Sequence, residues 1–416
     1  MHAAYFSPDP TVDSLDQRHG GPDFWALDPG IPFLNHGAFG SCPHPVLSQQ
    51  HALQDYMERQ PIRFFVDEFQ ALWDHARSEL AHFLGANLVR IVFLRNATES
   101  ANVLLRAFNW QPGDDGIVTN HAYNACRNGL ERVAQGHGAH VRLIPIPFPM
   151  DEPKTVVHAV LSQVMHRTRL ALLDHVTSPT GLILPIETLI PALKQLGIET
   201  IVDGAHAPSL LPRCLNAPDC LGYAGNCHKW LCAPKSAAFL YVRSDFVTRF
   251  PPLITSHDAN STRTDRSRFL LEFGWMGTMD PTPWVECPSR RAARERASPR
   301  RMDCHPTQEP NPGSGRPKPA VRTLRSLNAC ARFYTGSYGR RTLATCLLHG
   351  IPTHSERPGS PAQLSLTPTP HRGAVFPWPR PPARLLRISA HLYNARSDYE
   401  KLAEAPANWR KSLRKS

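Results

Sequence analysis

Between Phe64 and Val242 the sequence alternates helix-period and strand-like apolar segments, and this alternation restricts the possible folds more than any other feature. Phe65, Phe69, Leu72, Trp73, Leu80, Phe83 and Leu84 recur at three- and four-residue spacings and Gly85 follows, which predicts an amphipathic helix over 64–84 with a glycine stop. Strands are predicted at 91–94, 116–119, 140–146, 170–175, 199–203 and 236–242, and helices near 124–135, 155–166 and 186–196. Strands separated by helices pair in parallel through right-handed crossovers, so the predicted class is α/β with a mostly parallel sheet. Ligands of such sheets collect at the carboxyl ends of the strands, where Asp174, His175, Asp203 and His206 all fall.

The chain has 416 residues, more than one hydrophobic core usually supports, so two domains are expected. No basic segment followed by an apolar run opens the chain, and no apolar stretch is long enough to span a bilayer. A soluble, cytoplasmic protein without a membrane partner is expected. The ten cysteines include no Cys-x-x-Cys pair, and Cys220, Cys227 and Cys232 with His228 match no common zinc spacing, so no metal is expected.

A net charge of +11 would suggest nucleic acid, but its location argues otherwise. Residues 287–372 hold 15 Lys+Arg against 4 Asp+Glu, and the remainder of the chain holds 31 of each. The same stretch carries 12 of the 41 prolines and four of the ten cysteines, with Lys318 as its one lysine. Sustained periodicity is lacking from 287 to about 326. Three readings stay open: a G+C-rich gene translated out of frame, a disordered insertion, or a folded basic domain. No specific nucleic-acid partner is expected.

Chemistry enters with Lys229 in Gly225-Asn226-Cys227-His228-Lys229-Trp230, twenty-six residues after the strand end at Asp203. A strand-end aspartate followed by a histidine–lysine pair is what pyridoxal phosphate requires: an amine for the Schiff base and a carboxylate that keeps the pyridine nitrogen protonated. No Gly-x-Gly-x-x-Gly follows a strand and no Gly-Lys-Ser/Thr loop occurs, so dinucleotide and nucleoside triphosphate sites are unsupported. Asn96-Ala97-Thr98 is the candidate phosphate device, a strand-to-helix turn with free N–H groups and a hydroxyl; plain helix capping by Asn96 and Glu99 is the competing reading.

Several separated motifs resemble one family. Leu34-Asn35-His36-Gly37-Ala38-Phe39-Gly40, Asn96-Ala97-Thr98-Glu99, His121-Ala122-Tyr123-Asn124-Ala125-Cys126, Val202-Asp203-Gly204-Ala205-His206, His228-Lys229-Trp230 and Gly277-Thr278-Met279-Asp280 look like the isopenicillin N epimerase branch of the class V aminotransferases. The resemblance runs over 31–285 and resumes through 375–379 and 385–394. It implies a pyridoxal-phosphate-dependent transferase of fold type I, with a large sheet domain and a smaller C-terminal α/β domain that the basic stretch disrupts. The implied division is an N-terminal arm at 1–30, a cofactor-binding domain at 31–275, small-domain remnants at 276–286 and 373–416, and the basic segment at 287–372.

By resemblance, Lys229 carries the cofactor and then serves as base at the α-carbon, and Asp203 faces the pyridine nitrogen. His206 and His228 lie near the cofactor, His228 toward the phosphate. Tyr123 stacks on the ring, with His121 as its competitor, and Thr177 and Ser178 contact the phenolic oxygen. Thr278 reaches the phosphate across a homodimer interface, and Arg387 grips the substrate α-carboxylate with a planar two-pronged donor. Asn35 and Arg63 are further candidates for substrate contact. The implied activity is chemistry at the α-carbon of a small amino acid. Epimerisation, transamination and carbon–sulfur cleavage all occur among relatives. A cysteine-type lyase is the alternative within the family, and an impaired remnant with a polyanion-binding basic segment is the alternative outside it.

Overall fold

The computed structural model describes residues 22–148, 150, 152–211, 215, 219–286, 385–395 and 397–402, and the backbone of strands at 333–338, 341–348, 362–363, 374–377 and 384. Most of the expected N-terminal arm and most of the basic stretch lie outside these residues.

The described residues open with a 3-10 turn, Pro22–Phe24, followed by α1 (His36–Phe39) and α2 (His44–Arg59), then a π-helical turn, Arg63–Glu68, that runs into α3 (Phe69–Leu84). Gly85 ends α3 in the left-handed conformation at φ 69°, and its N–H reaches back to the Ala81 and His82 carbonyls, the stop expected from sequence. Next come β1 (Ile91–Leu94), α4 (Ala97–Ala107), β2 (Asp115–Thr119), α5 (Asn124–Gly136), β3 (His140–Ile144), α6 (Pro153–Leu161), β4 (Thr168–Asp174), α7 (Ile186–Gln195) and β5 (Glu199–Asp203). Then β6 (Gly222–Asn226), β7 (Ala238–Val242), α8 (Arg268–Glu272) and α9 (Thr282–Val285) follow.

The seven strands form one sheet in the order β1-β7-β6-β5-β4-β2-β3, with β7 antiparallel to both neighbours and the other pairings parallel. Both faces are covered. Ile91, Phe93, Ala171, Leu173, Phe239 and Tyr241 join the core beneath α3, α6 and α7, whereas the alternate residues Val92, Leu94, Leu170, Leu172, Leu240 and Val242 join the core beneath α4 and α5. Burial on two faces explains why these strands read as unbroken apolar runs.

One strand, β6, is absent from the sequence-based prediction. Its residues, Gly-Tyr-Ala-Gly-Asn, have little strand propensity, yet all five are buried. Packing explains the composition: a Cβ on Gly222 would lie 2.3 Å from a Leu104 methyl carbon, and one on Gly225 would lie 2.2 Å from the Phe239 ring. The small residues let α4 settle directly onto the middle of the sheet.

A second, antiparallel sheet has the order β10-β11-β12-β9-β8, built from β8 (Phe333–Tyr338), β9 (Arg341–Leu348), β10 (Ala362–Gln363), β11 (Ala374–Pro377) and β12 (Arg384–Ala390). The backbones of β8, β9 and β10 fall within the basic stretch. β12 reaches back to the start of the chain: the Ser389 N–H donates to the Leu34 carbonyl at 2.7 Å, and Leu34 packs with Ile388, Tyr399 and Leu402. Among the described residues, no helix is long and apolar enough to cross a membrane.

Candidate active site

The carboxyl ends of β1, β2, β4, β5 and β6 deliver the predicted groups to one region. Asp174 and Asp203 end adjacent parallel strands as register partners, and both are buried. Asp203 accepts the Ala205 N–H at 3.0 Å and the Cys126 thiol at 3.1 Å. Asp174 accepts the Tyr123 N–H at 3.3 Å, and burial together with the neighbouring Asp203 charge pushes its pKa well above the usual carboxylate range.

β6 runs into the turn that carries Lys229. Its side chain is partly accessible, and its pKa is lowered to about 8, first by burial and next by the Arg387 charge. The Nζ lies 3.2 Å from His206 Nε2. An indole N–H can only donate, so the 3.3 Å contact from Trp230 Nε1 fixes His206 Nδ1 as an acceptor. In the neutral ring Nε2 then carries the hydrogen, which suits an uncharged Lys229 amine as acceptor. Burial and the Lys229 charge hold the His206 pKa well below its ordinary value, consistent with that assignment.

At the end of β1, Asn96 caps α4 by accepting the Glu99 N–H at 2.8 Å, while Glu99 reaches back to the Arg95 N–H at 2.9 Å. The capping reading is realised, one residue further back than the simplest pattern. The turn offers fewer donors than the sequence suggests, because the Ala97 N–H is taken by the Asn226 side chain at 2.8 Å. The Thr98 N–H has no partner among the described residues and stays available at the positive end of the helix.

Arg387 arrives from β12. It is 2% exposed, and burial lowers its pKa only to about 10, so it remains a cation at neutral pH. Nη1 donates to the Ser178 carbonyl at 2.6 Å and to its hydroxyl at 3.1 Å, and Nη2 donates to Asn35 Oδ1 at 3.2 Å. Asn35, Ser178 and Arg387 are thus brought together from segments far apart in sequence.

The remaining candidates divide. Thr177 is buried with its hydroxyl 2.7 Å from that of Thr180, and it accepts the Leu182 N–H, so it shapes the loop that presents Ser178. His228 binds the Ala237 carbonyl through Nδ1 at 3.1 Å, and burial lowers its pKa to about 4. Both nitrogens of His121 are engaged, with the Thr180 hydroxyl at 2.7 Å and the Ile146 carbonyl at 3.0 Å, and burial again lowers the pKa to about 4. Tyr123 keeps 44% of its surface exposed at the start of α5, leaving a ring face open. Arg63 is not drawn in: it is exposed and engages Tyr56 and Glu68. Thr278 is exposed, and among the described residues no hydrogen bond ties it to the other candidate groups.

Sequence reasoning noted Asp174 at a strand end without giving it a role, and it missed Cys126 and Asn226, which hold Asp203 and Ala97. The register of two aspartates closing adjacent strands was the available signal. The imagined grouping of Cys232 with Cys220, Cys227 and His228 does not form; the Cys232 thiol lies near His36 and His391 instead.

An amine of lowered pKa, a carboxylate held at a strand end and an open N–H at a helix start form a donor set that fits pyridoxal phosphate. Comparison with known proteins agrees. Residues 43–270 match the family described as aminotransferase class-V. The isopenicillin N epimerase of Amycolatopsis lactamdurans is 32% identical over 405 residues, covering 91% of this chain and 95% of the relative. A probable chloroplastic L-cysteine desulfhydrase of Arabidopsis thaliana is 28% identical over 286 residues, covering 64% and 59%. Among solved structures, the cystine C–S lyase C-DES in complex with its product cysteine persulfide superposes with a TM-score of 0.69 at 16% identity, covering 89% of this chain and 96% of that one. Fold and site define a pyridoxal-phosphate-dependent α/β enzyme of fold type I that acts at the α-carbon of an amino acid. The chain belongs to the class-V aminotransferase family.

Proposed function

We propose that the protein cleaves the Cβ–S bond of a cysteine-type amino acid by β-elimination. The observation that carries this reading is that proton transfer is concentrated in one pair, Lys229 with His206. Epimerisation through two bases requires a second acid–base group opposite Lys229. Of the two residues that compete to stack on the ring, His121 has both nitrogens engaged and a pKa lowered to about 4, and the Tyr123 phenol is pushed up, chiefly by burial. Expelling a sulfur substituent needs only one base. The α-proton leaves to Lys229, the Cβ–S electron pair leaves with sulfur, and hydrolysis of the remaining fragment gives a 2-oxo acid and ammonia beside the thiol. The activities named for the desulfhydrase relative and for the structurally similar C–S lyase support the same chemistry.

When bound, pyridoxal phosphate supplies an electrophilic aldehyde for the substrate amine and a sink for the α-carbon electron pair. In this reading Asp203 keeps the pyridine nitrogen protonated, with Cys126 and the Ala205 N–H steadying the carboxylate. Thr98, with Asn96 and Ala97 as its scaffold, takes the phosphate. Tyr123 covers a ring face, His206 orients the Lys229 amine, and His228 and Thr177 shape the pocket. Arg387, held by Asn35 and Ser178, grips the substrate carboxylate. Thr278 completes the phosphate site from the partner subunit of a homodimer. The exposed Ile62 and Val66 beside Arg63, each 72% accessible, supply apolar surface for such a contact.

We propose the domain division given above, with residues 287–372 out of frame. Reading the gene in all three frames between the codons for Trp284 and Val375 tests it: an alternate frame rich in acids and helix-period apolar residues supports it, and none does the reverse. For the activity, purified protein with added pyridoxal phosphate is compared with Lys229→Ala by visible absorption before and after borohydride. Cystine and cysteine are then assayed for sulfur release and 2-oxo acid. A Lys229-dependent band with both products supports the reading, whereas inversion of an amino acid without sulfur release establishes an epimerase. A wild-type chain with no band is a remnant.

A further inference from the structure

Three buried side chains from distant segments meet beside the Lys229 turn: His36, Cys232 and His391. Cys232 Sγ lies 3.8 Å from His36 Nε2 and 3.6 Å from His391 Nε2. By residue type this is a metal-ligand set, but the ring geometry argues against an ion. The two imidazoles stack with centroids 4.0 Å apart and planes 19° from parallel. An ion about 2.0–2.1 Å from each nitrogen would have to lie near both ring planes at once. Nearly parallel rings at that separation do not permit it.

The cluster grips the chain instead. The Lys229 carbonyl accepts the Cys232 N–H at 2.8 Å and lies 3.0 Å from His36 Nε2. A carbonyl can only accept, so Nε2 carries the hydrogen, and in the neutral ring Nδ1 accepts the Tyr393 hydroxyl at 2.9 Å. The loop bearing His36 is itself pinned: the Gly37 N–H donates to Ser389 Oγ at 3.0 Å. At Gly40 a Cβ would lie 1.9 Å from the His228 carbonyl oxygen, so this loop rests directly on the backbone next to Lys229. Cys232 closes the turn at φ 56°, a left-handed conformation that a residue with a Cβ keeps only where its surroundings enforce it.

We propose that His36 is a positioning residue for Lys229, fixing the Lys229 carbonyl so that the amine is aimed at the reacting carbon, with Tyr393 fixing His36 and the His391–Cys232 pair closing the other side. The proposal rests on Lys229 being the cofactor lysine. The test compares His36→Ala, His36→Gln and Tyr393→Phe in the full-length, cofactor-loaded chain. Its readouts are cofactor bound per chain after borohydride trapping, the pH midpoint of the cofactor's visible band, and kcat separately from KM.

The expected result for His36→Ala is stoichiometric cofactor, a shifted midpoint and a kcat lowered about tenfold, with KM within about threefold of wild type. Glutamine offers an N–H to the same carbonyl and should restore most of the midpoint and kcat; Tyr393→Phe should fall between. A wild-type midpoint and kcat in His36→Ala overturn the proposal, as does a glutamine variant no better than alanine, which would mean that the ring only fills space. Should His36→Ala fail to fold, Tyr393→Phe decides, since it leaves both imidazoles in place: an unchanged midpoint overturns the proposal. A cofactor band that survives Lys229→Ala would instead remove the assignment of Lys229, whatever the His36 variants do.

Discussion

Arg387→Lys tests whether the β12 guanidinium is the carboxylate grip. In the structure Nη1 is anchored on Ser178 and Nη2 on Asn35, which fixes the orientation of the planar fork. A hydrogen bond between charged groups contributes about 1.5–3 kcal/mol. Lysine keeps the charge but offers a single point, and it forfeits one of the two bonds, which lowers kcat/KM about 10- to 150-fold. The assay measures kcat/KM for the free amino acid and for its α-amide, alongside cofactor trapped on Lys229. Trapping should be unchanged, and the loss should fall on the free acid, because the amide has no carboxylate to lose. A loss under about twofold on the free acid, or an equal loss on both substrates, would falsify the assignment.

Lys229 predicts a pH profile. With its pKa lowered from 10.5 to about 8, the free-amine fraction of the cofactor-free protein rises about tenfold per pH unit until about pH 8 and then levels. Cofactor loading, followed by absorbance, should trace that curve; a rise continuing toward pH 10.5 would mean an unshifted lysine. Between these two values the unfolded chain holds a proton that the folded one has already shed, so this lysine makes the cofactor-free protein more stable as pH rises from 8 to 10.5. Gly222→Ala places a Cβ 2.3 Å from a Leu104 methyl carbon and should cost about 1–3 kcal/mol in urea denaturation. An unchanged midpoint there would show that α4 does not seat on β6 as described.

Legibility in the sequence followed the physics of each element. The β1, β4 and β7 segments are buried on both faces and betray themselves as apolar runs; β6 is equally buried, but it is selected for small size against Leu104 and Phe239, which erases the pattern. Lys229 and Asp203 stood out because few residue types can perform the chemistry proposed for them, whereas Arg387 was reached only through the family resemblance. The availability of donors at Asn96–Thr98 was not legible, since the claim of Asn226 on the Ala97 N–H depends on the end of β6 meeting the start of α4, 129 residues apart. The gathering of His36, Cys232 and His391 was equally hidden. Local spacing gave Cys232 no fitting partner among its sequence neighbours, and the groups it meets lie 196 and 159 residues away.

The clasp between the first described loop and β12 has a consequence for biosynthesis. Lys229 and Asp203 leave the ribosome well before Arg387, Ser389 and Tyr393, and the bonds from Arg387 to Asn35 and from Gly37 to Ser389 each join residues 352 positions apart. A nascent chain can therefore form its lysine turn early but cannot join Arg387 to Asn35 and Ser178 until β12 has emerged. Any message that terminates within the basic stretch would yield a product carrying Lys229 without Arg387, Ser389 or Tyr393.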